Sequence, residues 1–175
     1  MTKTRTLLLL AALFTPSLAL AATLELPAEA QLKVQVIDPL TLDENASRLD
    51  DILLRPATNG QGFQELPKHC VMVGDALIED ERVRITTKSV TCIATQGSDS
   101  EIYSGEISAA AYGADGGFGI AACEGSRCEI TPEQTFELRL ASDLIIEEQE
   151  NTSEQINLQR RQVEGDEAAD PLPTE

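Results

Sequence analysis

Few residues in this chain have types and spacing suited to chemistry. There is a single histidine, His69, alongside four cysteines, Cys70, Cys92, Cys123 and Cys128, while Asp and Glu number 30 against 13 Lys and Arg. Acid–base or nucleophilic catalysis through an imidazole would rest on His69 alone. That residue stands directly before Cys70, and no serine occupies a G-x-S-x-G frame. His69 is therefore expected to be structural or exposed. A glycosidase-type carboxylate pair could be assembled from so many acids, but abundance is not a signal. The absence of Trp and the presence of only two Tyr also argue against a sugar-stacking cleft. Glu79-Asp80-Glu81 could bind a cation; a solvated turn is the ordinary reading of such a run. No catalytic residue, cofactor or metal ligand is assigned, and the chain is expected not to be an enzyme.

An even cysteine count in an exported chain is most simply two disulfides in an oxidising compartment. Three pairings are possible. Order along the chain suggests Cys70–Cys92 and Cys123–Cys128, the second closing a small loop around Glu124-Gly125-Ser126-Arg127. Zinc is the competing reading, but one C-x4-C and one histidine lack a second closely spaced ligand pair.

Export is argued from the first 21 residues. Lys3 and Arg5 form a positive n-region, Leu7 to Leu20 an apolar stretch interrupted by Thr15, Pro16 and Ser17, and Ala19-Leu20-Ala21 the small-x-small pattern read by signal peptidase. The apolar stretch is shorter than the ~20 residues that span a bilayer. The alternative, an uncleaved anchor, is disfavoured by the Ala-rich end. Without Lys3 and Arg5 the net charge moves from −17 to −19. That field repels phosphates and anionic lipid, so nucleic-acid binding through a basic patch is not expected, whereas a basic protein partner suits it.

The organisation expected is residues 1–21 as signal peptide, 22–146 as a mostly β domain and 147–175 as an acidic flexible tail. Leu32, Val34 and Val36 alternate with polar neighbours over Gln31–Ile37, the period of a half-buried strand. Phe136, Leu138 and Leu140 repeat the pattern. Residues 41–51 are expected to be a loop or one helical turn, and 57–62 a flexible loop. Cys70–Val73 is expected to be a strand ending at Gly74-Asp75, followed by a polar connection to Arg82 that could hold a turn of helix. Val83–Ala94 is rich in β-branched residues, which suit a pleated sheet. Its alternation slips phase, so a bulge or turn is expected near Lys88-Ser89. Glu101–Tyr112 is the next strand candidate, Gly113–Gly117 a hairpin turn, and Phe118–Ala122 the return strand. From Glu147 onward apolar residues are too sparse for a packed face, so a disordered tail is expected; the alternative is a helix over roughly 148–163 that orders on a partner.

The ordered set Pro67-x-x-Cys70, Glu81-Arg82-Val83-x-Ile85, Ser89-Val90-Thr91-Cys92-Ile93, Gly105 and Asp115-Gly116-Gly117-Phe118-Gly119-Ile120 resembles the TraB/TrbI-like family. Its members are β-barrel scaffold subunits of the outer-membrane core complexes of type IV secretion and conjugation systems. The likeness covers about residues 27–140. It departs from the family pattern in having a signal peptide in place of the inner-membrane helix, in having no Pro-rich stalk or second apolar segment, and in the Cys123/Cys128 loop. What the resemblance implies is a small antiparallel barrel or sandwich with two disulfides, acting in the periplasm as a structural or accessory component of a conjugative apparatus. Its partners would be core-complex proteins, with a homo-oligomeric ring among the arrangements open to it. The reading from a different class is a small secreted binding protein, a hydrolase inhibitor or cation-binding module, presenting the Cys123–Cys128 loop with Arg127 inside it.

Overall fold

A computed structural model describes residues 22–57, 63, 66–96 and 99–167. The expected signal peptide, and all but residue 57 of the expected flexible loop at 57–62, lie outside the described residues. The strands are β1 (Thr23–Leu26), β2 (Gln31–Val36), β3 (Leu40–Leu42), β4 (Arg48–Pro56), β5 (His69–Glu79), β6 (Arg82–Gln96), β7 (Asp99–Glu106), β8 (Ala109–Tyr112), β9 (Cys123–Glu124), β10 (Arg127–Ile130), β11 (Thr135–Leu140) and β12 (Leu144–Gln149), followed by one helix, α1 (Thr152–Glu167).

The main sheet is an antiparallel meander closed on itself. Three of its strands are bent chains in two named halves. β1 and β2 run together along β12 and β11, with Leu26 opposite Leu144 and Gln31 opposite Arg139. The bend between them is bridged by Glu29 N–H donating to the Leu140 carbonyl and Leu140 N–H donating to the Ala30 carbonyl, both at 3.0 Å. β7 and β8 likewise form one bent chain beside β6, and Ala141 N–H donates to the Ser108 carbonyl where β11 turns into β12. Neighbours in the sheet are thus neighbours in the chain. Thr86 on β6 opposite Ala110 on β8 completes a closed six-stranded barrel of β2, β4, β5, β6, β8 and β11. Closure removes the unpaired edges that an open sheet of these strands would leave. β7, β12 and β1 extend the wall from β6, and β1 is the outer strand of that extension.

The alternations expected from the sequence face the barrel interior. Leu32, Val34 and Val36 are buried, as are Phe136, Leu138 and Leu140, and they meet directly across the β2–β11 ladder, where Val34 is opposite Phe136 and Leu32 opposite Leu138. Leu54, Met72, Ile85 and Val90 complete the filling, each with no exposed surface. Burying side chains of this size contributes roughly 1.5–3 kcal/mol each. Leu42, Cys128 and Ile130 belong to the same core, and through them the small sheet β3–β10–β9 packs at one end of the barrel.

The bulge expected near Lys88 is present. Val73 pairs with Ser89 and Gly74 with Thr87, leaving Lys88 as the extra residue on β6. A second irregularity lies beside it on β4, between Leu49 and Ile52, where Asp51 has a φ of 57°. Bulges sharpen local twist, which a barrel of few strands requires.

Several expectations are corrected. Gly74-Asp75 does not end a strand: β5 continues to Glu79, with Gly74 in the ladder because a Cβ there would collide with the Thr86 carbonyl oxygen. The connection to β6 is a two-residue turn, Asp80-Glu81, with no helical turn; both residues have positive φ (52° and 58°), the backbone a tight hairpin of this twist demands. Residues 41–51 contain β3 and the start of β4 instead of a loop or helical turn. The strand expected over Glu101–Tyr112 breaks at Ile107-Ser108, where the buried Thr87 hydroxyl accepts from Ala109 N–H at 2.9 Å and donates to the Ile107 carbonyl at 3.1 Å. The sheet runs to Gln149, and α1 occupies much of the acidic segment after it.

Candidate functional site

The expected return strand over Phe118–Ala122 is also absent, and its replacement defines the site. After β8 the chain turns at Gly113–Gly117, where Gly113 N–H donates to the Gly117 carbonyl (3.0 Å) and Gly116 takes a φ of 73°. It then leaves its own strand for the tip of the β5–β6 hairpin. Val83 and Ile120 exchange both backbone hydrogen bonds, at 3.0 and 2.8 Å. The loop is held there by Arg82. Its guanidinium donates from Nη1 and Nη2 to the two carboxylate oxygens of Asp115, each at 2.9 Å, and from Nε and Nη2 to the Gly119 carbonyl at 3.1 and 2.6 Å. A planar fork meeting a carboxylate edge-on is the geometry that arginine supplies and lysine does not. The hydrogen bonds from Arg82, reinforced by Gly117 N–H, hold the Asp115 carboxyl below its usual 3.8, at about 2.

Beside this latch runs a stack of alternating cations and rings. The Arg84 guanidinium lies over Phe118 at 4.7 Å, Phe118 and Tyr112 are 5.7 Å apart, and Arg139 lies over Tyr112 at 4.1 Å. Each arginine is also neutralised, Arg84 by Glu79 and Asp80 (2.8 and 2.7 Å) and Arg139 by Glu137 (2.9 Å). The acidic run that could have bound a cation is therefore a hairpin turn with two of its three carboxylates already paired to Arg84.

On the outer wall, the two irregularities are joined by charge. Lys88 Nζ reaches Asp75 Oδ1 at 2.6 Å and Asp51 Oδ1 at 3.0 Å, and Arg48 bridges Asp75 (3.0 Å) and Asp50 (2.7 Å). Asp75 is only 13% exposed, and the Lys88 hydrogen bond lowers its pKa.

Cys70 and Cys92 stand directly opposite each other on β5 and β6, buried and joined by a disulfide. A second disulfide joins Cys123 to Cys128 across β9–β10, with Gly125 at φ 63° in the turn between them. The sulfurs are thus spent on bridges, which displaces the zinc reading. Two disulfides fit an oxidising, extracytoplasmic environment. Glu124–Arg127 is exposed, while Cys128 is buried. The surrounding pocket, of about 510 Å³, is lined by Ala121, Cys123, Glu124, Arg127, Glu129 and Gln134 among others. His69 is exposed at the start of β5, opposite Ile93, with no carboxylate recorded beside its ring. Among the described residues no group of three or more His, Cys, Asp or Glu could hold a metal ion, and no helix is long and apolar enough to cross a membrane.

Sequence reasoning singled out Glu81-Arg82 and Asp115 in separate short motifs but did not bring them together. The available signal was compositional: in a chain with 3% aromatics, Tyr112 and Phe118 both flank the glycine-rich turn.

The fold and site define a class, a disulfide-stapled antiparallel meander barrel whose end is closed by a latched glycine-rich loop. No protein-family model and no curated protein matches the sequence.

Proposed function

We propose that this chain is a structural or accessory component of a conjugative type IV secretion apparatus, working in the periplasm through protein–protein contacts and without catalysis. The observation that carries the reading is where the motif segments of the TraB/TrbI-like resemblance lie. Cys70 on β5, Glu81 to Ile93 on the hairpin and β6, Gly105 on β7 and Asp115–Ile120 in the latched loop are contiguous, forming one wall of the barrel and its end. Scattered chance matches would not be expected to share one wall. Two features suit protein contact. β1 leaves one edge without a strand partner among the described residues, and such edges accept a further strand. Leu53, Val71 and Ile93, each about 40% exposed, place apolar side chains on the outer face of β4–β6.

Affinity capture from periplasmic extract of a donor strain tests this. Recovery of core-complex subunits supports it; recovery of a hydrolase, or of no partner, contradicts it.

A second reading, a secreted binding protein of the inhibitor type, is favoured by one observation. Glu124-Gly125-Ser126-Arg127 is an exposed turn clamped at its base by the Cys123–Cys128 bridge, and rigid loops bind at lower entropic cost. Retention of capture after Arg127→Ala would set this reading aside.

A further inference from the structure

We propose that removal of residues 1–21 creates at Ala22 an ammonium group that ion-pairs with Glu148 and fastens the first strand of the barrel. The proposal rests on the reading of the N-terminal segment as a signal peptide cleaved after Ala21. The barrel begins where that pattern ends. Ala22 N lies 3.4 Å from Glu148 Oε2, and Glu148 N–H donates to the Ala22 carbonyl at 2.8 Å, so backbone and side chain of one residue hold both polar groups of the other. Ala22 packs against the core, and from the next residue the ladder runs regularly, Thr23 opposite Glu147 to Leu26 opposite Leu144.

Hydrolysis of the Ala21–Ala22 bond adds the hydroxyl of water to the Ala21 carbonyl and a proton to the Ala22 nitrogen. The free amine, with an ordinary pKa near 7.7–8.0, takes up a further proton at neutral pH. A neutral amide with a single, long hydrogen bond becomes a cation with three donors, in place beside a carboxylate. The ionisable groups around it are Glu147 and Glu148 on β12, Glu25 on β1, and Glu101 and Tyr103 on β7. Tyr103 donates to Glu101 at 2.7 Å, so that phenol is already engaged. None of these groups is a competing cation. β1 has β12 as its strand partner and no strand on its other edge among the described residues, so this end of the chain is where an added ion pair changes most. The precursor has only the neutral amide there and holds its first strand less firmly.

The test is a double-mutant cycle on the mature chain, residues 22–175, prepared with a free or an acetylated Ala22 amine and with Glu148 or Glu148→Gln. The free amine is expected to raise the folding equilibrium constant by about two- to fivefold over the acetylated chain, the span of half-exposed ion pairs. That advantage is expected to vanish with Glu148→Gln, and the amine is expected to titrate above its ordinary value only when Glu148 is present. Additive effects of acetylation and Glu148→Gln would overturn the ion pair while leaving the cleavage reading intact. N-terminal sequencing of the exported protein separates the two: a first residue other than Ala22 overturns the cleavage site itself, and the proposal with it.

Discussion

Arg82 and Asp115 are separated by 33 residues, yet they meet fork to fork through two 2.9 Å hydrogen bonds, joining the hairpin tip to the glycine-rich loop. The same guanidinium also caps the Gly119 carbonyl, so one side chain satisfies the loop at both its turn and its exit. Arg82→Ala is expected to free residues 113–120 and leave the barrel folded. Hydrogen exchange at the Gly117 and Ile120 amides would rise by an order of magnitude or more, while Val34 and Leu138 amides stay protected. Arg82→Lys is expected to restore only part of the protection, since an ammonium cannot donate both bonds in one plane.

The same pair sets an acid limit on the loop. Asp115 is usually protonated near 3.8, and Arg82 lowers this to about 2. A depressed carboxyl pKa contributes stability that is full above the unfolded value and is lost as pH falls from about 3.8 through about 2. Loop protection followed against pH should therefore hold down to about pH 4 and fall below it, and Asp115→Asn should remove that dependence. Asp115 is more than half exposed, so salt should weaken the effect.

Gly74 is a packing requirement. Its missing Cβ makes room for the Thr86 carbonyl where β5 passes the Lys88 bulge. Gly74→Ala must displace β6 backbone and is expected to cost about 1–3 kcal/mol in denaturant unfolding. By contrast Gly116→Ala meets no atom within 4 Å, so it isolates the cost of the positive φ alone, roughly 1 kcal/mol.

The two disulfides should separate under reductant. Cys70 and Cys92 are 2% and 0% exposed, whereas Cys123 is half-buried and lines the end pocket. Graded dithiothreitol with mass mapping is expected to open Cys123–Cys128 first, and Cys70–Cys92 only on unfolding. Chain entropy assigns the bridges about 2 and about 3 kcal/mol, for separations of 5 and 22 residues.

The parts of this fold that were legible in the sequence are those where one face is buried and the other wet. β2 and β11 declare themselves by period two, and the slipped phase in Val83–Ala94 correctly located the Lys88 bulge, because an extra residue must invert the pattern. Other elements were masked by local chemistry that tertiary contacts override. Gly74-Asp75 carries turn residues, but Gly74 is small for packing and Asp75 is charged to meet Lys88. Asp80-Glu81 turns the chain without the glycine that usually marks such a hairpin. The glycine-rich turn at Gly113–Gly117 was legible, whereas its landing place was not, since nothing local tells Ile120 to seek Val83 instead of its own preceding strand. The latch was visible only as two unconnected motifs, and charge pairing at a distance of 33 residues leaves no periodic trace.

Function is tested most directly by transfer. Donor cells lacking this chain, and the same cells restored with wild type or with Arg82→Ala, can be compared for conjugation frequency while the core-complex subunits are quantified in their membranes. The account predicts that loss of the chain lowers transfer and reduces the assembled core complex, and that wild type restores both. Unchanged transfer, with a core complex assembled as in wild-type cells, would contradict it.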